Sequence, residues 1–252
     1  MKTVIKKSLA FSFISVILNF LISSFFETSN YLTDIGGLGA FVTVFGTLFG
    51  IMTAFVVFEV WNQYNKTINL INLEAQGLER LFVLTLYFRD TSLTVKMKQA
   101  IATYIKPIVT GKFQTLALGK RNVENGMNFR NISKLLMNLS FNDDHDALIF
   151  SEIIKHYGNL AEIRTNRIDQ SLARLPKLLK VFLYSSSGIA LLSFIFMPFA
   201  NQYYGYFVNG TLAFILGMVF QLVNDLDNPF DGQWNVTPEP FERALTHIEN
   251  DY

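Results

Sequence analysis

The chain has no cysteine and only three histidines in 252 residues. The first absence excludes disulfides and thiolate metal sites. The histidines, His145, His156 and His247, show no H-x-x-x-H or H-E-x-x-H spacing, so no pair shares a helix face as zinc ligands. No G-x-S-x-G, Walker or Rossmann pattern occurs either. With no nucleophile–base or metal pattern, the sequence does not read as an enzyme. Charge is also scarce, at 16% of residues against ~25% in soluble globular proteins. No basic patch is interleaved with aromatics, which argues against nucleic acid as a partner.

What the chain has instead is apolar residues in blocks. Half of the residues are hydrophobic and 25 are phenylalanine. Four runs approach the ~20 helical residues needed to cross a hydrocarbon core: Leu9–Phe26, Leu38–Val60, Leu178–Phe199 and Tyr203–Val223. The first follows Lys2, Lys6 and Lys7, as a secretory signal would. Its apolar part exceeds the ~7–15 residues of a signal core and no A-x-A site follows, so it reads as a retained span. The expected fold is all-α: a polytopic membrane protein with four transmembrane helices and a cytosolic helical insert between the second and third.

Lysine and arginine orient the spans. The loop after the first span carries Glu27 and Asp34 but no base, and the NQYYGY loop is uncharged. Seventeen of the 21 basic residues lie between Asn62 and Lys180, where they outnumber ten acids and leave +7. That excess follows from the topology rule itself, and it also suits lipid headgroups or an anion-attracting vestibule. Both termini are expected in the cytoplasm. The expected divisions are 1–61 for spans one and two, 62–177 for the cytosolic helices, 178–223 for spans three and four, and 224–252 for a proline-rich acidic tail.

The second run organises the rest. It continues without proline from Leu38 to Phe88, which predicts one long helix leaving the bilayer near Glu59–Trp61. Phe41, Phe45 and Phe49 are four apart and line one face. Such a stripe either faces lipid and neighbouring helices or, gathered around an axis, forms a constriction that closes by dewetting. Gly46 and Gly50 form a G-x-x-x-G pair about 100° around the helix, where another helix can approach. Glu59, at the inner end, is either a solvated interfacial carboxylate or part of a charged ring that attracts cations. Ile68, Ile71, Ala75, Leu78 and Phe82 continue a 3-4-3-4 seam, and Leu70, Leu73, Leu81, Leu84 and Phe88 line a second face. Beyond it, helices are expected at Thr94–Tyr104, Asn131–Leu139 and Asp146–Arg174, with a bend at Pro107 and a kink at Pro176. Gly111–Phe129 reads as the least ordered stretch, a loop with room for a short helix. Asn19 is expected to hydrogen-bond a neighbouring span.

The tail LVNDLDNPFDGQWNVTPEPF, with three prolines, cannot be one helix. Its prolines and aromatics suggest an ordered strap. Asp225, Asp227 and Asp231 fall within seven residues. They are read either as turn chemistry or as part of an oxygen-only site for Ca²⁺, which takes ~6–8 oxygen ligands. The spacing is not that of an EF-hand. Asn142–Asp146, reading NDDHD, is read as a solvated helix cap.

Two segments, AFVVFEVWNQYNKTINLINLEAQGLERL at 54–81 and the tail block at 222–241, resemble the signature blocks of the DUF4239 or bestrophin-like family. The chain is more distantly similar to bestrophins. That resemblance implies a pentameric, ligand-gated ion channel of the plasma membrane, bacterial inner membrane here, with small inorganic ions as its cargo. It implies that the second span lines the pore and that Phe41, Phe45 and Phe49 stand where bestrophins carry an apolar neck. In such a channel Glu59, at the inner end of that span, is expected to tune selectivity at the inner mouth. Asn228, Pro229 and Phe230 match a tripeptide that precedes an acidic calcium clasp in animal bestrophins; here only Asp231 follows, then Gly232-Gln233-Trp234. The tail residues Asn228, Pro229, Phe230, Trp234 and Phe241 are expected to contact a neighbouring subunit. The alternative reading is a non-conducting scaffold or sensor whose cytosolic helices bind a partner.

Overall fold

A computed structural model describes residues 2–25, 34–112, 123–137, 139 and 144–251. The outer turn at 26–33, most of the loop before Asn128 (113–122) and Asn142–Asp143 of the NDDHD run lie outside the described residues. Among the described residues there is no strand. The helices are α1 (Lys2–Phe25), α2 (Ile35–Leu86), α3 (Thr91–Pro107), α4 (Val123–Met137), α5 (Asp144–Leu172), α6 (Lys177–Ile195), α7 (Gln202–Asp227) and α8 (Glu239–Asn250). Among the described residues four helical stretches are long and apolar enough to cross a membrane: α1, α2, the run Asp144–Ile195 and α7. That third run breaks at 173–176, so its apolar part is α6. The break has a local cause. Pro176 lacks an N–H and pushes Leu175 out of the helical region.

The chain forms two compact units. The first comprises Met1–Asn62 and Arg174–Asp227, and the second Gln63–Ala173 and Asn228–Tyr252. Helix α2, 52 residues long, contributes to both.

In the first unit α1 packs along α7 through small and polar residues. Ser8, Ser15 and Asn19 are the buried positions of α1, and their spacing puts them on one face. Gln221 Nε2 donates to the Val4 carbonyl at 2.8 Å and to Ser8 Oγ at 2.9 Å. Ser12 Oγ donates to the Gly210 carbonyl at 2.7 Å, and Asn209 Nδ2 to the Ser15 carbonyl at 3.3 Å. Close approach makes these bonds reachable. A Cβ on Gly210 would lie 2.9 Å from Val16, and one on Gly217 would lie 3.2 Å from the Ser8 backbone. In lipid there is no hydrophobic drive between helices, so backbone proximity and such hydrogen bonds hold the pair.

The second unit has a conventional apolar core. Ile71, Ala75, Leu78 and Phe82 of the α2 seam are buried in it with Met97, Ile101 and Ile105 of α3, Phe129 and Ile132 of α4, and Ile153 and Leu160 of α5. Leu81 of the second α2 face and Phe88, in the turn just past the helix, are buried there too, whereas Leu73 is exposed. Gly77 brings α2 against α5: a Cβ there would meet Leu160 at 2.7 Å. Helix α4 begins at Val123, eight residues before the periodicity suggests. The added turns carry Phe129, which stacks on Tyr157 with centroids 5.2 Å apart. After Pro107, α3 gives way to a single π turn at Ile108–Lys112 that ends with Gly111 at φ 102°.

The tail is two pieces, as its prolines require. A turn at 228–238 is closed by Val236 N–H on the Pro229 carbonyl at 2.7 Å, and Gly232 takes φ 106°. Helix α8 follows with a proline in its first turn, where the missing N–H has no partner to lose.

Replacing Gly217 by leucine should force α1 away from α7. The expected result is a lower melting temperature in detergent, with Gly188→Leu, whose added Cβ meets open space, leaving it nearly unchanged.

Candidate functional site

In the first unit, the phenylalanine stripe of α2 is a ladder of stacked rings. Phe41 and Phe45 have centroids 5.4 Å apart and planes 17° apart; Phe45 and Phe49 are at 6.1 Å and 3°. Phe41 is 48% exposed, and Phe45 and Phe49 are half-buried. The face beside the ladder is open. Beyond the helix's own backbone, no atom of the described residues lies within 4 Å of a Cβ built on Gly39, Gly46 or Gly50. Only 6% of the most apolar window of α2 is covered by its own chain, against 33% for α7. The span that carries the stripe is therefore the least packed of the four within one chain. Glu59 is half-buried toward the end of the apolar stretch, and Trp61 is 42% exposed.

Two of the three tail aspartates take separate roles. Asp227 is buried at the end of α7 and accepts from the Leu175 backbone N–H. Its other oxygen pairs with Lys180 Nζ at 2.5 Å. The donor freed by the break before Pro176 is thus satisfied by a carboxylate from another span. The carboxylate that spacing offered to a cation is already engaged by an ammonium. Asp225 precedes it in α7, and Asp231 belongs to the second unit, where its Oδ1 accepts from Gly232 N–H at 2.9 Å. Among the described residues no group of three His, Asp or Glu side chains could hold a metal ion.

The second unit contains a buried polar cluster that the apolar periodicity did not reveal. Glu74 of α2 is fully buried. Arg167 of α5 donates to it from Nε at 2.5 Å and from Nη2 at 3.3 Å. The Tyr104 hydroxyl of α3 donates to Glu74 Oε1 and accepts from Arg164 Nε at 3.1 Å. Arg164 also lies over the Phe129 ring at 5.0 Å, and Arg167 over Phe241 of α8 at 5.7 Å. Five helices thus meet around one carboxylate and its neighbouring cations. The signal in the sequence was Glu74 itself, an acid set between two apolar stripes and therefore not on a solvated face.

The titration of the cluster follows from its burial. Desolvation, then the neighbouring Glu74 charge, pushes the Tyr104 phenol well above its ordinary value. Burial alone would lower the Arg167 pKa, but Glu74 and Tyr104 more than reverse that and hold it protonated. Desolvation also raises Tyr157.

Of the tail residues, Phe230 and Phe241 are buried in the core of their own chain, Pro229 is buried, Asn228 is half-buried and Trp234 is 45% exposed. Tail and core are therefore joined within one protomer.

Removing one partner of the buried pair leaves an uncompensated charge. Arg167→Met should destabilise the second unit by about 3–5 kcal/mol, and adding Glu74→Leu should restore most of it; denaturant melts of the single and double variants check this. Because Tyr104 keeps its proton in the folded state, its contribution is full below the unfolded phenol value of about 10 and falls as pH rises beyond it. The stability advantage of wild type over Tyr104→Phe should therefore shrink above that pH.

A family model described as the Bestrophin-like domain matches residues 9–241. A point variant of a bacterial bestrophin homolog from Klebsiella pneumoniae superposes with a TM-score of 0.73 at 12% identity, covering 95% of this chain and 99% of that one. A second crystal structure, of a membrane protein, gives 0.72 at 13% identity, covering 95% and 98%. A search of curated proteins found no match. At such identity the superpositions speak for the fold alone, and they agree with the helical architecture above. With the family model spanning nearly the whole chain, this integral membrane protein belongs to the bestrophin-like family.

Proposed function

We propose that the protein is an oligomeric ion channel, a pentamer, in which α2 of each copy lines a shared pore. The observation that carries this reading is the bareness of α2. Its stacked Phe41, Phe45 and Phe49 and the open face at Gly46 and Gly50 have so little cover from their own chain that neighbouring copies are the natural occupants. Rings from several copies converging on one axis make a hydrophobic neck, which closes by expelling water. Glu59 sits at the inner mouth and biases it toward cations. The basic excess of 62–180 places that segment in the cytosol with both termini, in a bacterial inner membrane. The boundaries read from the sequence, 1–61, 62–177, 178–223 and 224–252, stand as the working division. In the tail, Phe230 and Phe241 anchor the strap to its own protomer and Trp234 reaches the next. The proposal includes no catalysis and no bound calcium.

Recording from purified protein in planar bilayers tests this, with native mass measurement giving the copy number. Pentamers are expected, with unitary currents whose conductance or open probability rises in Phe45→Ala. Monomers or dimers that stay silent in wild type and variant would leave a non-conducting scaffold or sensor.

A further inference from the structure

A groove of about 170 Å³ runs between α2 and α8 in the second unit. Its floor is Ala75 and Ala244, both buried, with Pro240 at one end. Asn72, Gln76 and Glu79 form one wall at helical spacing, and Arg243 and His247, four apart, form the other. Several of these groups hold unused bonding capacity. Neither the Asn72 nor the Gln76 carboxamide has a hydrogen-bond partner among the described residues. Arg243 pairs only loosely, at 3.8 Å, with Glu239 of its own helix, and both are nearly two-thirds exposed. Such exposed pairs exchange partners at little cost. Glu79 faces His247 at 3.3 Å and holds a carboxylate at the rim.

We propose that this groove binds a small α-amino acid as its zwitterion. A guanidinium and a carboxylate stand on opposite walls, with two carboxamides beside the carboxylate. A simple anion meets Arg243 but is repelled by Glu79, and a simple cation meets the reverse. A molecule with carboxylate and ammonium on one carbon satisfies both walls, and its backbone reaches the amides. The volume has room for several water molecules, and so for an amino acid with a short side chain. The alanine floor accommodates that side chain without a polar partner. A ligand seated there bridges the helix that carries the phenylalanine stripe and the helix that ends the tail. Binding does not depend on whether the protein conducts.

Full-length protein in mild detergent is titrated calorimetrically with L-serine, L-alanine and L-glutamine, and with acetate and methylammonium as half-ligands. At least one amino acid should bind saturably, and each half-ligand at least about tenfold more weakly, the factor expected for losing a charge-assisted contact. Arg243→Gln and Gln76→Leu, both at exposed positions, should each weaken that binding by a similar factor without moving the ligand-free melting temperature. No saturable amino acid binding, acetate binding as tight as the amino acids, or affinity unchanged in Arg243→Gln each overturns the proposal. Because the readout is binding, a channel that records currents yet binds no amino acid refutes this inference alone, and silent bilayers with intact binding refute only the conduction reading.

Discussion

The second unit depends on one buried carboxylate. Glu74 has no water to solvate it, so Arg167 and Tyr104 must come to it. A buried pair of this kind adds little net stability over apolar residues of the same shape, but it penalises any arrangement that leaves one partner alone. Here that penalty selects a single register for α2 against α3 and α5. The guanidinium of Arg167 also meets the Phe241 ring, so the same charge holds α8 and with it the tail. Apolar seams such as Ile71, Ala75 and Leu78 tolerate small slips. The carboxylate does not.

The first unit obeys the same rule with weaker groups. Where α5 ends before Pro176, the Leu175 N–H is left without a helical acceptor, and Asp227 supplies one while Lys180 balances its charge. Between α1 and α7 the glycines bring backbones close enough for Ser12, Asn209 and Gln221 to bond to carbonyls. Both units are thus positioned by polar groups that cannot be left unsatisfied, one in an apolar core and one in a setting without bulk water.

Against that background α2 stands out for what its membrane half lacks. Every other span shows some polar or close-packed seam with a neighbour, while among the described residues the ladder of Phe41, Phe45 and Phe49 makes ring contacts only along its own helix. A helix that is registered by Glu74 in the second unit and little covered along Phe41–Phe49 in the first is suited to working between copies. That is the physical basis of the channel proposal, and it explains why a single chain shows the stripe but not what the stripe encloses.

Much of this was legible in the residues. Hydropathy placed the four spans, the 3-4 spacing of Ile71 to Phe82 foretold the buried seam, and Pro107, Pro176 and the tail prolines marked where helices must stop, because chain length, periodicity and backbone sterics are local properties. Helix α4 starts before its apolar periodicity does, because its first turns are polar in sequence and are held by Phe129 packing on distant rings. The aspartates of the tail looked alike in sequence, yet Asp227 joined a lysine 47 residues away while Asp231 closed a turn. Glu74 gave no sign of its partners, since Tyr104 and Arg167 lie 30 and 93 residues along the chain. Which charges meet is decided by how helices cross, and crossing is set by packing between elements that no local pattern encodes.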